Sequence, residues 1–171
     1  SHGGKRLPYY CYVGRLSQEK GIGTLLEAAS ALPYELRIAG DGPLANELKQ
    51  KYQHCKNITF LGRLDAEGVC NLLQQATLSV IPSEWYENNP LGVIESLSAG
   101  TPVVGANIGG IPELISTGAG ITFTSGDINS LKDALTAGFG THWDNDKIQT
   151  DSLARFSPQV HLKLIEDIYT R

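Results

Sequence analysis

The stretch Tyr9-Tyr10-Cys11-Tyr12-Val13-Gly14-Arg15-Leu16-Ser17-Gln18-Glu19-Lys20-Gly21 decides how the rest of the chain reads. An apolar run stops at a glycine, and a polar loop then leads into 3.6-residue periodicity from Gly23 to Leu32. Similar short runs recur at Glu35 to Ala39 followed by Gly40, Ile58 to Leu61 followed by Gly62, Leu78 to Ile81, Val103 to Ala106 and Gly120 to Phe123. Helical patterns fall between them, at Leu44 to His54, Asp65 to Gln75, Pro90 to Ala99, a short Pro112 to Ile115, and Ile128 to Ala137. After Phe139 the pattern loosens through Gly140, Thr141, His142 and Trp143, and a last helix is expected from Pro158 to Tyr169, with Val160, Leu164, Ile165 and Ile168 at core spacing. Strands buried on both faces and alternating with helices predict an α/β fold, a doubly wound parallel sheet of about six strands flanked by helices. Ligands of such sheets sit outside the carboxyl ends of the strands, which makes the glycine-rich strand exits the place to look.

Composition narrows the partners. The chain has 171 residues, with 14 Lys+Arg against 18 Asp+Glu. A single domain of this length hides roughly 70% of its unfolded surface and needs neither disulfides nor a structural metal. A net charge of -4, with no basic run longer than Lys5-Arg6, argues against a nucleic-acid footprint or an electrostatic membrane patch. Cys11, Cys55 and Cys70 are odd in number and lack a CxxC pair, so no disulfide framework or zinc ribbon is encoded and a reducing cytoplasm is the default. No apolar run approaches the ~20 residues of a membrane span. Ser1-His2-Gly3-Gly4 reads as a tag and linker remnant ahead of a single domain over 5–171. With no initiator Met, the chain is expected to be a piece of something longer.

Three motifs carry chemistry. Gly40-Asp41-Gly42-Pro43-Leu44-Ala45 matches the dinucleotide fingerprint G-x-G-x-x-A. It sits on the second strand rather than the first, and Pro43 removes a backbone N–H where a pyrophosphate would be cradled. The competing reading is a tight turn with Pro43 at the first helical position. The loop after the first strand carries Arg15 and Lys20 between Gly14 and Gly21. A guanidinium fork and a mobile ammonium suit a diphosphate, although a solvated loop salt-bridged to Glu19 fits the same residues. The third stretch runs Pro82-Ser83-Glu84-Trp85-Tyr86-Glu87-Asn88-Asn89-Pro90-Leu91-Gly92-Val93-Ile94-Glu95-Ser96. There Asn88 or Asn89 caps a helix with Pro90 in its first turn, leaving the N–H groups of Leu91, Gly92 and Val93 as an anion site. Glu95 lies about a turn further in, where a carboxylate accepts from the vicinal hydroxyls of a ribose, and Glu87 lies before the cap. A surface loop residue and a carboxylate near a helix N-terminus are the plain readings of Glu87 and Glu95. His54, His142 and His161 are isolated, and no cluster at metal-ligand spacing appears.

Together these stretches resemble the retaining family-4 glycosyltransferases, in particular the Rossmann-like C-terminal, nucleotide-sugar-binding half of their GT-B architecture. The resemblance runs from Tyr12-Val13-Gly14-Arg15-Leu16 with Lys20-Gly21, through Leu36 to Pro43 and Phe60-Leu61-Gly62-Arg63, to Glu87 and Glu95 with seven residues between them, and Gly109-Gly110-Ile111-Pro112-Glu113. It implies that Arg15 and Lys20 clamp a diphosphate beside Gly14, that Glu95 holds ribose, and that the Gly62-Arg63 backbone reads the base edge. It also implies that the amides of Asn89, Leu91 and Gly92 hold phosphate, and that Glu87 faces the donor sugar as hydroxyl ligand or electrostatic stabiliser. Asn88 and Ser96 stand where many relatives carry Gly and Ala, which leaves donor-sugar preference open. The Gly109-Gly110 turn either borders the sugar pocket or simply enters the short helix. The implied activity is retaining transfer from a nucleoside diphosphate sugar, UDP-linked rather than GDP-linked, to an acceptor hydroxyl. No metal or cofactor is expected to take part. The implied setting is bacterial cell-surface polysaccharide synthesis in the cytoplasm, with a lipid-linked saccharide as acceptor at the inner membrane face, and an N-terminal acceptor-binding domain outside this chain. Two alternatives stand beside it: a noncatalytic nucleotide-sugar-binding module, which has no need of Glu87, and a NAD-type oxidoreductase built on the Gly40 turn.

Overall fold

A computed structural model describes residues 5–86, 91–115 and 118–156. Its strands are β1 (Leu7–Val13), β2 (Glu35–Ala39), β3 (Ile58–Gly62), β4 (Ala76–Ile81), β5 (Val103–Ala106) and β6 (Gly120–Phe123). They form one sheet in the order β3-β2-β1-β4-β5-β6, with every adjacent pair parallel. The order reverses between β1 and β4, the crevice where doubly wound sheets hold ligands. The helices are α1 (Ile22–Ser30), α2 (Ala45–Lys51), α3 (Ala66–Gln75), α4 (Leu91–Ser98), α5 (Ile111–Ile115), α6 (Ile128–Phe139) and α7 (Asn145–Arg155).

Period-two alternation along β1 divides the core. Tyr10 and Tyr12 join the larger cluster, where Leu25 and Leu26 of α1 and Leu131 and Leu135 of α6 pack with Ile38, Leu78 and Val80. Tyr9 and Cys11 join Val69, Leu72 and Leu73 of α3 in a second cluster. A third gathers Val93 and Leu97 of α4, Ile111 and Ile115 of α5, and Ile148 of α7 around Val103. At the amino end of β1 the Arg6 guanidinium donates to the carbonyls of Leu73 (3.1 Å), Ala76 (3.3 Å) and Ala99 (2.9 Å) and to Thr101 Oγ1 (2.5 Å). One cation thereby ties the ends of α3 and α4 to the start of β1.

The expected strands and helices through α6 are present, with shifts at their ends. β1 starts at Leu7 and β4 at Ala76, two residues early in each case, and α2 stops at Lys51 rather than His54. Asp65 is the N-cap of α3, its side chain accepting from the Gly68 N–H at 2.8 Å. Pro43 is not the first residue of α2, as the tight-turn reading had it: it stands in the turn ahead, and the helix begins at Ala45. The loosened region after Phe139 contains α7, which apolar periodicity does not reveal because only Ile148 and Ser152 are buried along it. Polar signals hold this helix instead: Asp144 caps the Lys147 N–H at 3.1 Å, and Lys147 pairs with Asp151 at 2.6 Å. The helix expected over Pro158 to Tyr169 lies outside the described residues. Among the described residues no helix is long and apolar enough to cross a membrane.

Candidate functional site

The carboxyl ends of β1, β2 and β3 are zipped together by backbone hydrogen bonds that continue beyond the sheet. Gly14 N–H donates to Ala39 O (3.0 Å), Gly40 N–H to Gly62 O (2.8 Å), Leu16 N–H to Asp41 O (2.9 Å), and Leu44 N–H to Leu16 O (3.1 Å). The approach is so close that a Cβ on Gly40 would stand 1.8 Å from the Gly14 carbonyl oxygen, and one on Gly42 would stand 2.6 Å from that of Leu16. Both glycines of the fingerprint-like motif are thus required by the chain packing on itself. That accounts for them without a dinucleotide.

Between these exits lies a cavity of about 680 Å³. Its walls are Val13, Gly14 and Arg15 after β1, Ala39 to Pro43 after β2, Arg63 and Leu64 after β3, and Val69 of α3. Two exposed guanidiniums, Arg15 and Arg63, face one carboxylate, Asp41, whose Oδ1 already accepts from the Gly42 N–H at 2.8 Å. The lining therefore favours an anion. Tyr12 fixes the Arg15 backbone by donating from its hydroxyl to the Arg15 carbonyl at 2.6 Å. Gly62 sits at φ +73° with no atom within 4 Å of a built Cβ, so the β3 exit is open beside Arg63.

Lys20 does not line this cavity. It ends a 3₁₀ turn, Gln18–Lys20, and Gly21 follows in the left-handed region at φ +75°. That turn is fastened to the β4 exit: the Glu84 N–H donates to the Glu19 carbonyl at 3.0 Å, and a Cβ on Gly21 would fall 1.8 Å from the Pro82 carbonyl oxygen. Glu19 is held below the usual carboxylate range first by its own backbone N–H and then by the Ser17 hydroxyl at 2.8 Å. The loop therefore separates its two cations, with Arg15 in the cavity wall and Lys20 toward β4.

On α4, Leu91 and Gly92 are half-buried, and a Cβ on Gly92 would meet Ile81 Cδ1 at 3.2 Å, which sets the first turn against the end of β4. Glu95 is buried, with 6% exposure, and its charge reaches the Cys70 thiol of α3, whose pKa is raised first by burial and then by Glu95. Ser96 is engaged beneath the site. Its Oγ lies 2.7 Å from Ser79 Oγ of β4 and donates to Gly92 O at 2.9 Å. Glu87, Asn88, Asn89 and Pro90 lie outside the described residues, so the helix cap and the first glutamate do too. Gly109, at φ +57°, leads through an Ile111 N–H to Ile108 O bond of 3.3 Å into α5.

Sequence reasoning missed Asp41, Leu64 and Val69 as parts of the wall. Asp41 was visible within the Gly40 motif but was assigned only to a turn. Leu64 and Val69 carry no chemical signal, because an apolar wall residue looks like core until the cavity is seen. Trp85 and Tyr86, 69% and 71% exposed beside the β4 exit, were likewise quoted without a role.

The chain matches the family model described as Glycosyl transferases group 1 over residues 3–137. Similar curated proteins include a glycogen synthase of Mycobacterium tuberculosis, 35% identical over 136 residues, covering 72% of this chain and 32% of the relative. A sulfoquinovosyl transferase of Arabidopsis thaliana is 34% identical over 134 residues, covering 75% of this chain and 26% of the relative. The chain thus spans about a third or less of the length of these two relatives. Among solved structures, HepE of Anabaena in complex with UDP superposes with a TM-score of 0.79 at 23% identity, over 94% of this chain and 47% of that one. On the family match and the shared parallel sheet, the chain belongs to the glycosyl transferases group 1 family and has the C-terminal α/β domain of the GT-B fold.

Proposed function

We propose that this domain binds the nucleoside diphosphate sugar donor of a retaining glycosyltransferase, UDP-linked rather than GDP-linked. The observation that carries the reading is the cavity at the β1, β2 and β3 exits, whose charged wall is Arg15, Arg63 and Asp41. In this reading the base lies along Gly62-Arg63, the ribose reaches Glu95, and the diphosphate lies between Arg15, Lys20 and the amides of Leu91 and Gly92. Glu87 and Asn89 complete the donor-sugar and phosphate contacts. The bond that breaks joins the anomeric carbon to the terminal phosphate oxygen, the bond that forms joins that carbon to the acceptor hydroxyl oxygen, and the proton that hydroxyl loses passes to the departing diphosphate. Negative charge grows on the leaving diphosphate, and fixed cations and helix amides stabilise it without reorganising. HepE, solved with UDP, supports the choice of base. The whole enzyme adds an N-terminal acceptor-binding domain. It works at the cytoplasmic face of a bacterial membrane on a lipid-linked saccharide during surface polysaccharide synthesis.

Calorimetric titration with UDP, GDP and NAD tests the donor assignment. UDP is expected to bind saturably, more tightly than GDP, and NAD not at all. Glu95→Gln keeps the shape but replaces a charged acceptor with a neutral one, a loss of about 1–2 kcal/mol or roughly tenfold in affinity. In the full enzyme, Lys20→Ala is expected to lower turnover by about 10²- to 10³-fold, the usual effect of removing one such donor. Binding of NAD in preference to UDP, or UDP affinity indifferent to Glu95→Gln, would reject the assignment.

A further inference from the structure

The sheet order turns the donor into a ruler. Along the carboxyl edge the exits run β3, β2, β1, β4, carrying in turn Arg63, the Gly40 to Pro43 loop, Gly14 with Arg15, and the Pro82 to Tyr86 segment. Neighbouring strands lie ~4.8 Å apart, so the β4 exit is ~14 Å from that of β3. A donor with its base at β3 and its diphosphate at β1 delivers its sugar at β4. There the chain shows two large aromatic side chains to solvent, Trp85 and Tyr86, 69% and 71% exposed, and neither lines the cavity.

Their mount is firm. The Ser125 hydroxyl donates to Ser83 O at 2.9 Å, the Glu84 N–H donates to Glu19 O at 3.0 Å, and the Thr24 hydroxyl donates to Glu84 Oε1 at 2.9 Å. Pro82 and Ser83 are buried, and Gly21 presses on the Pro82 carbonyl. Loops from the β1, β4 and β6 exits therefore meet at Ser83 and Glu84, the residues that lead into Trp85 and Tyr86. Exposed aromatics on a floppy loop are unremarkable, but two held outward from a fastened base suit a ligand with an apolar face and a polar rim. A pyranose ring is such a ligand: its axial C–H bonds form an apolar face, and its hydroxyls meet the indole N–H, the phenol and water.

We infer that Trp85 and Tyr86 form a stacking platform for a pyranose ring of a saccharide acceptor, at the β4 exit where the donor sugar is delivered. The inference rests on the donor reading above. It narrows the acceptor to a saccharide that lays a ring face on the platform, rather than a small polar alcohol.

The test uses the intact chain in a Trp143→Phe background, which leaves Trp85 as the sole indole. Trp143 is partly buried and donates its indole N–H to Gly138 O at 2.9 Å, away from the proposed platform. With UDP at saturation, maltotetraose, cellotetraose, galactobiose and mannobiose are titrated to tens of millimolar while Trp85 emission is followed. A saturable change with at least one of them is expected. Tyr86→Ala should weaken it by roughly 3- to 10-fold, the worth of one aromatic contact, and Tyr86→Phe should keep it. Calorimetry of UDP on the same samples separates the two ideas. UDP binding with no saccharide response overturns the platform, and a saccharide response without UDP binding supports the platform while removing the donor reading. If the chain instead dimerises in sedimentation, Trp85→Ala abolishes the dimer and no saccharide responds, the face is a contact between copies and the proposal fails.

Discussion

Gly21 and Gly62 form a natural pair for measuring how firmly the first loop is pressed onto β4. Their backbones are nearly the same, at φ +75° and +73°, but their surroundings are opposite. A Cβ at Gly21 would stand 1.8 Å from the Pro82 carbonyl oxygen and 2.7 Å from its carbon, whereas one at Gly62 would meet nothing within 4 Å. Gly62→Ala therefore costs only the left-handed conformation of an L-residue, about 1–2 kcal/mol. Gly21→Ala costs that and the displacement of a backbone group that has no rotamer to escape into, bringing the loss to about 2–5 kcal/mol. For a domain of this size each kcal/mol moves Tm by about 2–4 °C, so Gly21→Ala should lower Tm by about 4–20 °C and Gly62→Ala by about 2–8 °C. Differential scanning calorimetry of both variants under the same conditions decides the matter. Equal losses would refute the reasoning, since they would mean that the Lys20 loop is not held against the β4 exit at all.

Three further outcomes are expected. Tyr10 is fully buried and its hydroxyl has no hydrogen-bond partner among the described residues, so Tyr10→Phe should leave stability unchanged or raise it by about 1 kcal/mol in urea unfolding, and a loss above that would show a hidden partner. Arg6→Met keeps much of the apolar stem but takes the guanidinium from the Ala76 and Ala99 carbonyls, while Leu73 O keeps the Thr101 hydroxyl, so a loss of about 3 kcal/mol is expected in the same assay with UDP affinity unchanged. Burial raises the Tyr9 phenol from 10.0 to about 12 and the Cys11 thiol from 9.0 to about 12. Both favour the fold fully while neutral in folded and unfolded chains, and lose that advantage as the unfolded chain ionises first. The urea midpoint should therefore be flat below about pH 9 and fall steadily toward pH 12, less steeply in Cys11→Ala.

The sheet was readable because each strand exit carried its own stop signal. The runs ending at Gly14, Gly40 and Gly62 needed no three-dimensional information, since a strand that must turn sharply at a loop is marked by the residue that allows the turn. α7 was hidden for the opposite reason. Its two buried side chains are too few to make a stripe, and what seats it on α4 and the turn after it, Ile148 in the core and the Asn145 and Gln149 side chains donating to Gly100 O and Ser98 O, joins residues far apart in sequence. Of the candidate site, the glycines and Arg15 were legible because charge and backbone freedom are written in residue type. The separation of Arg15 from Lys20 was not, because it depends on the Glu84 N–H reaching Glu19 O, a contact between residues far apart in sequence.

Ser96 is the departure from the family pattern whose neighbours the fold shows. Standing next to Glu95, it looks like a change at the ligand and therefore in donor preference. Successive positions on a helix point about 100° apart, however, and that rotation sends the two side chains to different neighbours. The Glu95 charge reaches Cys70 on α3, while Ser96 turns to the sheet and meets Ser79. The exchange visible here is thus one of buried contacts. A serine pair between α4 and β4 stands where an alanine would leave Ser79 facing a methyl group, and the Gly92 carbonyl gains a side-chain donor within the first turn. What Ser96 shares with the proposed donor site is thus the seat of that turn, through the Gly92 carbonyl.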